Sequence, residues 1–248
     1  MSLQKKCWYT NTVPSTDGVG LALKWLVQND ASRNGAILAA NTNGVLERAL
    51  MEVFDRQQAN RIVQEKLRQI DGITITTVTE KRRLWQHANN RILLAFYPDS
   101  QFLDVLDGIN GVSEMVVVPW TMPDIESWKN ARNARVLGTT GVRQTAEPAI
   151  RNPTVRNAMR SLSRSVNKST GLAHPADRSR AVDTLFILLE NGETFVPSEI
   201  KVFLVAEGEW DPTKASEVEE LAKSILAGKK PRRVSSWKSN IIEMWRSE

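Results

Sequence analysis

Residues 91–118 read RILLAFYPDSQFLDVLDGINGVSEMVVV, and the fold follows from them. RILLAFY (91–97) and MVVV (115–118) are continuous apolar runs. Neither alternates apolar with polar residues as a strand with one wet face does, and both are too short for buried helices. They read as strands covered on both sides, the pattern of a parallel sheet. Between them Phe102, Val105 and Leu106 mark a helix, which Gly108 and Gly111 end. Strand, helix and strand in succession imply a parallel pair, because a parallel connection has to cross back over the sheet.

The pattern repeats on both sides of this stretch. Residues 5–10 (KKCWYT) form a short strand, and Ser15, Thr16 and Asp17 offer N-caps to a helix carrying Ala22, Trp25 and Leu26. Gly35 precedes AILAA, a second apolar run. A periodic stretch then extends from Asn43-Gly44 to Ile70, as one helix or as two broken near Asp55–Asn60. Asp71-Gly72 ends it, and the β-branched ITITTVT follows as a strand. Pro119 stops the MVVV run, and Pro123 opens a helix with Ile125 and Trp128 inside. The order is β-α-β-α-β-β-α-β-α over residues 1–137. It resembles the Rossmann-like α/β architecture, which implies a mostly parallel sheet with helices on both faces.

Beyond Gly138-Thr-Thr-Gly141 no strand pattern remains. Residues 153–167 read as a helix with Val155, Met159, Leu162 and Val166 in one stripe. Further helices follow at 176–190, from Pro197 to Gly208, and from Asp211-Pro212 to Gly228. The tail, 229–248, is basic and then carries Trp237, Ile241, Ile242 and Trp245, spaced to be buried. The expected domains are a sheet domain over 1–137, a basic linker and helix over 138–175, and a small all-α domain over 176–248.

The chain has 248 residues, 33 Lys+Arg against 28 Asp+Glu, one Cys and two His. One cysteine excludes an internal disulfide, and this Cys/His set cannot supply the four ligands of a zinc finger. No run approaches the roughly 20 apolar residues of a membrane span, and the N-terminus lacks the apolar core of a signal peptide. A cytoplasmic protein with no membrane contact is expected.

The net charge of +5 is unevenly placed. Residues 129–180 hold 11 basic and 2 acidic groups, against 13 and 14 in residues 1–128 and 9 and 12 in residues 181–248. Arg156, Arg160, Arg164 and Lys168 stand four apart, a ridge of roughly 18 Å on a helix. Like charges at that spacing repel, which an anionic partner would offset. With Arg151 these residues form a candidate contact for nucleic acid or another polyanion. The blander alternatives are a solvated face, or neutralisation by Glu207, Glu209, Asp211, Glu217, Glu219 and Glu220. No Phe, Tyr or Trp occurs in 129–180, so single strands would be held by charge rather than stacking.

Open α/β sheets bind ligands beyond the carboxyl ends of their strands. Thr12, Ser15, Thr16, Asp17, Asn43, Asp99 and Trp120 fall there and are the candidate lining of a small-anion pocket. The alternative is that the polar ones serve only as caps and turn formers. An enzyme acting on a nucleotide or phosphorylated substrate would use Thr12, Ser15, Asp17, Asn43 and Asp99, with no catalytic role assignable to any of them. Asp17-Gly18-Val19-Gly20 lacks the third glycine of a dinucleotide fingerprint, and no P-loop occurs, so no NAD or ATP cofactor is expected. Asp183 with Glu199-Ile200-Lys201 has the D…E-x-K form of a metal nuclease, but its E-x-K must lie on a strand, and here the spacing is helical. No metal ligand set is therefore assigned, and a metal-dependent nuclease stands as the third alternative function. His174 reads as a cap rather than a base, Cys7 as a small buried hydrophobe, and Asp104 with Asp107 as a solvated helix face. The expected function is that of a non-catalytic interaction or regulatory protein.

Overall fold

The computed structural model describes residues 5–11, 16–29, 34–81, 88–138, 148–234 and 237–247. The chain divides into two compact units, Met1–Gln144 and Thr145–Glu248.

The first unit runs β1 (Lys6–Tyr9), α1 (Thr16–Asn29), β2 (Ala36–Ala39), α2 (Asn43–Leu50), α3 (Arg56–Val63), β3 (Gln69–Ile70), β4 (Ile73–Val78), β5 (Arg91–Phe96), α4 (Ser100–Asp107), β6 (Val112–Val118), α5 (Met122–Arg132) and β7 (Arg135–Val136). The sheet order is β3-β4-β2-β5-β6-β1-β7. Every pairing is parallel except β3 with β4. A mostly parallel sheet layered with helices is thus what the apolar runs build.

Side chains alternate between the two faces with the two-residue period of a strand. Ala36, Leu38, Ile92, Leu94 and Phe96 join the core under α1, α2 and α3. Ile37, Ala39, Leu93, Ala95, Met115 and Val117 join the core under α4 and α5. Both sets are buried, which is why the strands read as unbroken apolar runs. Gly35 is required where β2 meets β4: its φ is +98°, and a Cβ there would lie 2.3 Å from the Thr74 carbonyl oxygen.

The periodic stretch after Asn43 takes the second of its two expected forms, two helices, because Asp55 caps a new one by accepting from the Gln58 N–H at 2.7 Å. Two local features depart from the expectation. β3 and β7 are two-residue strands, too short to show any periodicity. Asp104 and Asp107, read as a solvated face, are buried at 5 % and 4 % exposure. Arg132 Nε at 2.8 Å and Lys5 Nζ at 3.6 Å neutralise Asp107, which makes that burial tolerable.

The second unit is helical throughout its described elements: α6 (Pro153–Ser165), α7 (Pro175–Glu190), α8 (Pro197–Ala206), α9 (Pro212–Leu226) and α10 (Ile241–Ser247). Each of the first four opens on a proline in its first turn, where a missing N–H costs nothing. α6 packs against α7, α8 and α10, and α8 against α9, so the basic helix is part of this unit's core. Val155, Met159 and Leu162 are fully buried, and the tail contributes Ile241, Ile242 and Trp245. The buried indoles of this unit are satisfied: Trp245 donates to Ser161 Oγ at 3.0 Å and Trp210 to Ser163 Oγ at 2.9 Å. Among the described residues no helix is long and apolar enough to cross a membrane.

Candidate functional site

The candidate residues fall in two places: the carboxyl ends of the strands and the basic face of α6. The chain adds β4 on one side of β2, then places β5 and β6 on the other, so the strand order reverses between β2 and β5. At that point Asn41 ties three segments together. Its Nδ2 donates to Asp99 Oδ2 at 2.6 Å and to Glu80 Oε1 at 2.7 Å, and its Oδ1 accepts from the Asp99 N–H at 3.1 Å. Asp99 Oδ1 accepts from the Phe102 N–H at 2.8 Å, which makes Asp99 the N-cap of α4.

Tyr97 has a left-handed φ of 50° and donates its hydroxyl to Glu52 Oε1 at 2.6 Å. Burial first, and then that hydrogen bond, push the phenol well above its usual pKa. Trp120 is 49 % exposed and meets the Tyr97 ring edge-on at 5.3 Å. Asn43 is exposed at the start of α2, whose cap is Thr42 Oγ1. Asp17 is exposed in the first turn of α1. Thr12 and Ser15 lie outside the described residues, as does the side chain of Thr16.

Asp99 and Glu80 therefore share the Asn41 amide, while Asn43 and Asp17 stand in the first turns of α2 and α1. What gathers around Asn41 is acidic, and Asp99 already spends both oxygens. Glu80 carried no signal in the sequence, since its partner stands 39 residues away.

On the helical unit, Asn152 caps α6 by accepting from the Thr154 and Val155 N–H groups. Arg151, exposed just before the cap, is engaged within the chain. Arg156 turns back, with Nε and Nη2 donating to the Ile150 carbonyl at 3.0 and 2.6 Å. Arg160 Nη2 lies 3.4 Å from Glu207 Oε2. Arg164 is exposed and has no partner among the described residues. The helix ends at Ser165, so Lys168 sits on the turn beyond it, with Nζ 3.7 Å from Glu209 Oε2. The ridge is thus three arginines on the helix rather than four cations. Two of the five candidate contact residues, Arg160 and Lys168, meet the acidic residues that could neutralise them.

The nuclease pattern lacks the strand it needs. Glu199 and Lys201 lie on α8, while Asp183, fully buried in α7, accepts from Arg233 Nε at 2.7 Å. Among the described residues no three His, Cys, Asp or Glu side chains gather where they could hold a metal. His174 caps α7, its Nδ1 accepting from the Ala176 N–H at 3.3 Å. Cys7 is buried and free.

Fold and site together define a mixed α/β unit followed by a helical unit with a basic helix at its start. Residues 151–246 are similar to a family whose model is described as "Domain of unknown function (DUF1889)", a match that covers α6 to α10. No curated protein and no solved structure matches the chain.

Proposed function

We propose that this is a non-catalytic interaction or regulatory protein whose helical unit contacts a polyanion, nucleic acid foremost, through the exposed face of α6. One observation carries the reading. Arg164 is exposed without a partner among the described residues, and one turn away Arg160 meets Glu207 only at 3.4 Å, with side chains 44 % and 39 % exposed. Such open pairs are worth about 1 kcal/mol or less, so phosphate oxygens can replace the carboxylate at little cost.

The test is fluorescence anisotropy of the full chain with short DNA and RNA duplexes and single strands over a salt series. Arg160→Ala with Arg164→Ala should weaken binding alike on all sequences. It should also reduce the slope of log K against log salt by about 2, one unit for each lost phosphate contact. An unchanged slope, or no binding by the unaltered chain at low salt, would overturn the proposal. Arg156 is left in place because it holds the Ile150 carbonyl.

For the sheet unit we infer a Rossmann-like architecture, supported by α1 to α3 on one face, α4 and α5 on the other, and the reversal between β2 and β5. A reducing cytoplasmic setting accords with the free, buried Cys7. A second reading, an enzyme acting on a phosphorylated substrate at the strand ends, is favoured only by the Asn41–Asp99–Glu80 cluster at the reversal.

A further inference from the structure

A cavity of about 190 Å³ opens at the amino end of β1, between that strand and the turn joining α5 to β7. Lys5, Lys6, Trp8, Arg132, Asn133 and Arg135 line it. Asn133 is the left-handed C-cap of α5, with φ 48°, and it lets the chain reverse sharply enough for Arg132 and Arg135 to flank one opening. β7 then pairs with β1 so that Arg135 stands beside Trp8, its guanidinium 6.0 Å from the indole ring.

Four cations meet two carboxylates here, and both carboxylates are buried and committed. Asp107 takes Arg132 Nε at 2.8 Å and Lys5 Nζ at 3.6 Å. Glu114 accepts from Trp8 Nε1 at 3.1 Å and meets Lys6 Nζ at 3.6 Å. Among the described residues, Arg135 has no carboxylate partner, and no hydrogen bond takes up the terminal amino groups of Arg132. Cys7 also borders the cavity, but burial foremost, and then Asp107, push its thiol up to about 12, so it adds no negative charge. Burial also holds the Lys5 ammonium below its usual range against the pull of Asp107, an imbalance that an added anion relieves.

We propose that this cavity binds a small dianion of the phosphate class, gripped by Arg135, Arg132 and Lys6 at the edge of the sheet opposite the strand ends. Its size lies below the roughly 300 Å³ at which drug-sized pockets begin, which suits a phosphate or a small phosphomonoester rather than a whole nucleotide. Guanidinium groups meet such an oxyanion with two parallel hydrogen bonds, and that geometry favours phosphate over chloride. The proposal is independent of the α6 contact.

The experiment is calorimetric titration of the full chain with inorganic phosphate and with phenyl phosphate at constant ionic strength set by chloride. Saturable binding is expected. It should weaken about tenfold or more in Arg135→Gln and in Lys6→Gln, the scale of one charge-assisted hydrogen bond. Arg160→Ala with Arg164→Ala should leave it unchanged, so failure here is separate from failure of the polyanion reading. Binding of both probes identifies a phosphomonoester site, and binding of inorganic phosphate alone a free-phosphate site. The inference is overturned by no saturable binding of either probe up to about 10 mM. It is equally overturned by binding that survives both pocket variants while each retains the unaltered melting temperature.

Discussion

Glu193 shows how one side chain closes the helical unit. Its Oε2 accepts from Asn152, the cap of α6, at 2.9 Å, and its Oε1 accepts from Arg246 of α10. The Asn152 hydrogen bond first, and Arg246 beside it, hold the Glu193 carboxyl below its usual pKa. A carboxyl whose folded pKa is depressed adds stability that is complete above its unfolded pKa and is lost as pH falls through the lower folded value. Urea midpoints should therefore drop in acid beneath the ordinary glutamate range, and Glu193→Gln should flatten that limb; an identical limb in the variant would refute the assignment. Asp183 shows why residue roles resist reading from spacing. Its E-x-K neighbours hinted at metal chemistry, yet its partner is Arg233, 50 positions away.

Caps are the elements' most local feature, and those at Asp99, His174 and Asp211 were readable, whereas Asn152 was not singled out. Asp99, Asn152, His174 and Asp211 each accept a hydrogen bond from a backbone N–H two or three residues on. Asp99→Ala should cost about 1–2 kcal/mol in denaturant unfolding, from the lost cap and the orphaned Asn41 amide, while leaving polyanion affinity unchanged. A variant as stable as the parent would sink the capping role. If the strand ends were catalytic, the same change would abolish turnover of a phosphorylated substrate. Gly208 marks the limit at this scale. It is visible as a helix stop, but a Cβ there would come within 2.9 Å of Ser163 Oγ, an approach of α8 to α6 that nothing nearby in the chain announces.

Across the whole molecule, the second compact unit, Thr145–Glu248, encloses the residues 151–246 similar to the domain family. Its core is drawn from α6 to α10, so residues 145–248 expressed alone should show a helical circular dichroism spectrum and a single cooperative urea transition. Gradual, uncooperative melting would contradict that. Apolar runs, helical stripes, prolines and caps act within a turn or a strand of chain, which is why the parallel sheet and the helices from 153 to 226 were legible without coordinates. The strand order, the burial of Asp104 and Asp107, and the partners of Arg132 and Arg233 were not. They join residues 25 to 50 positions apart. Apolar burial is non-directional, so local pattern says that a face is covered but not by what. Which charges come together is set only when the layers close.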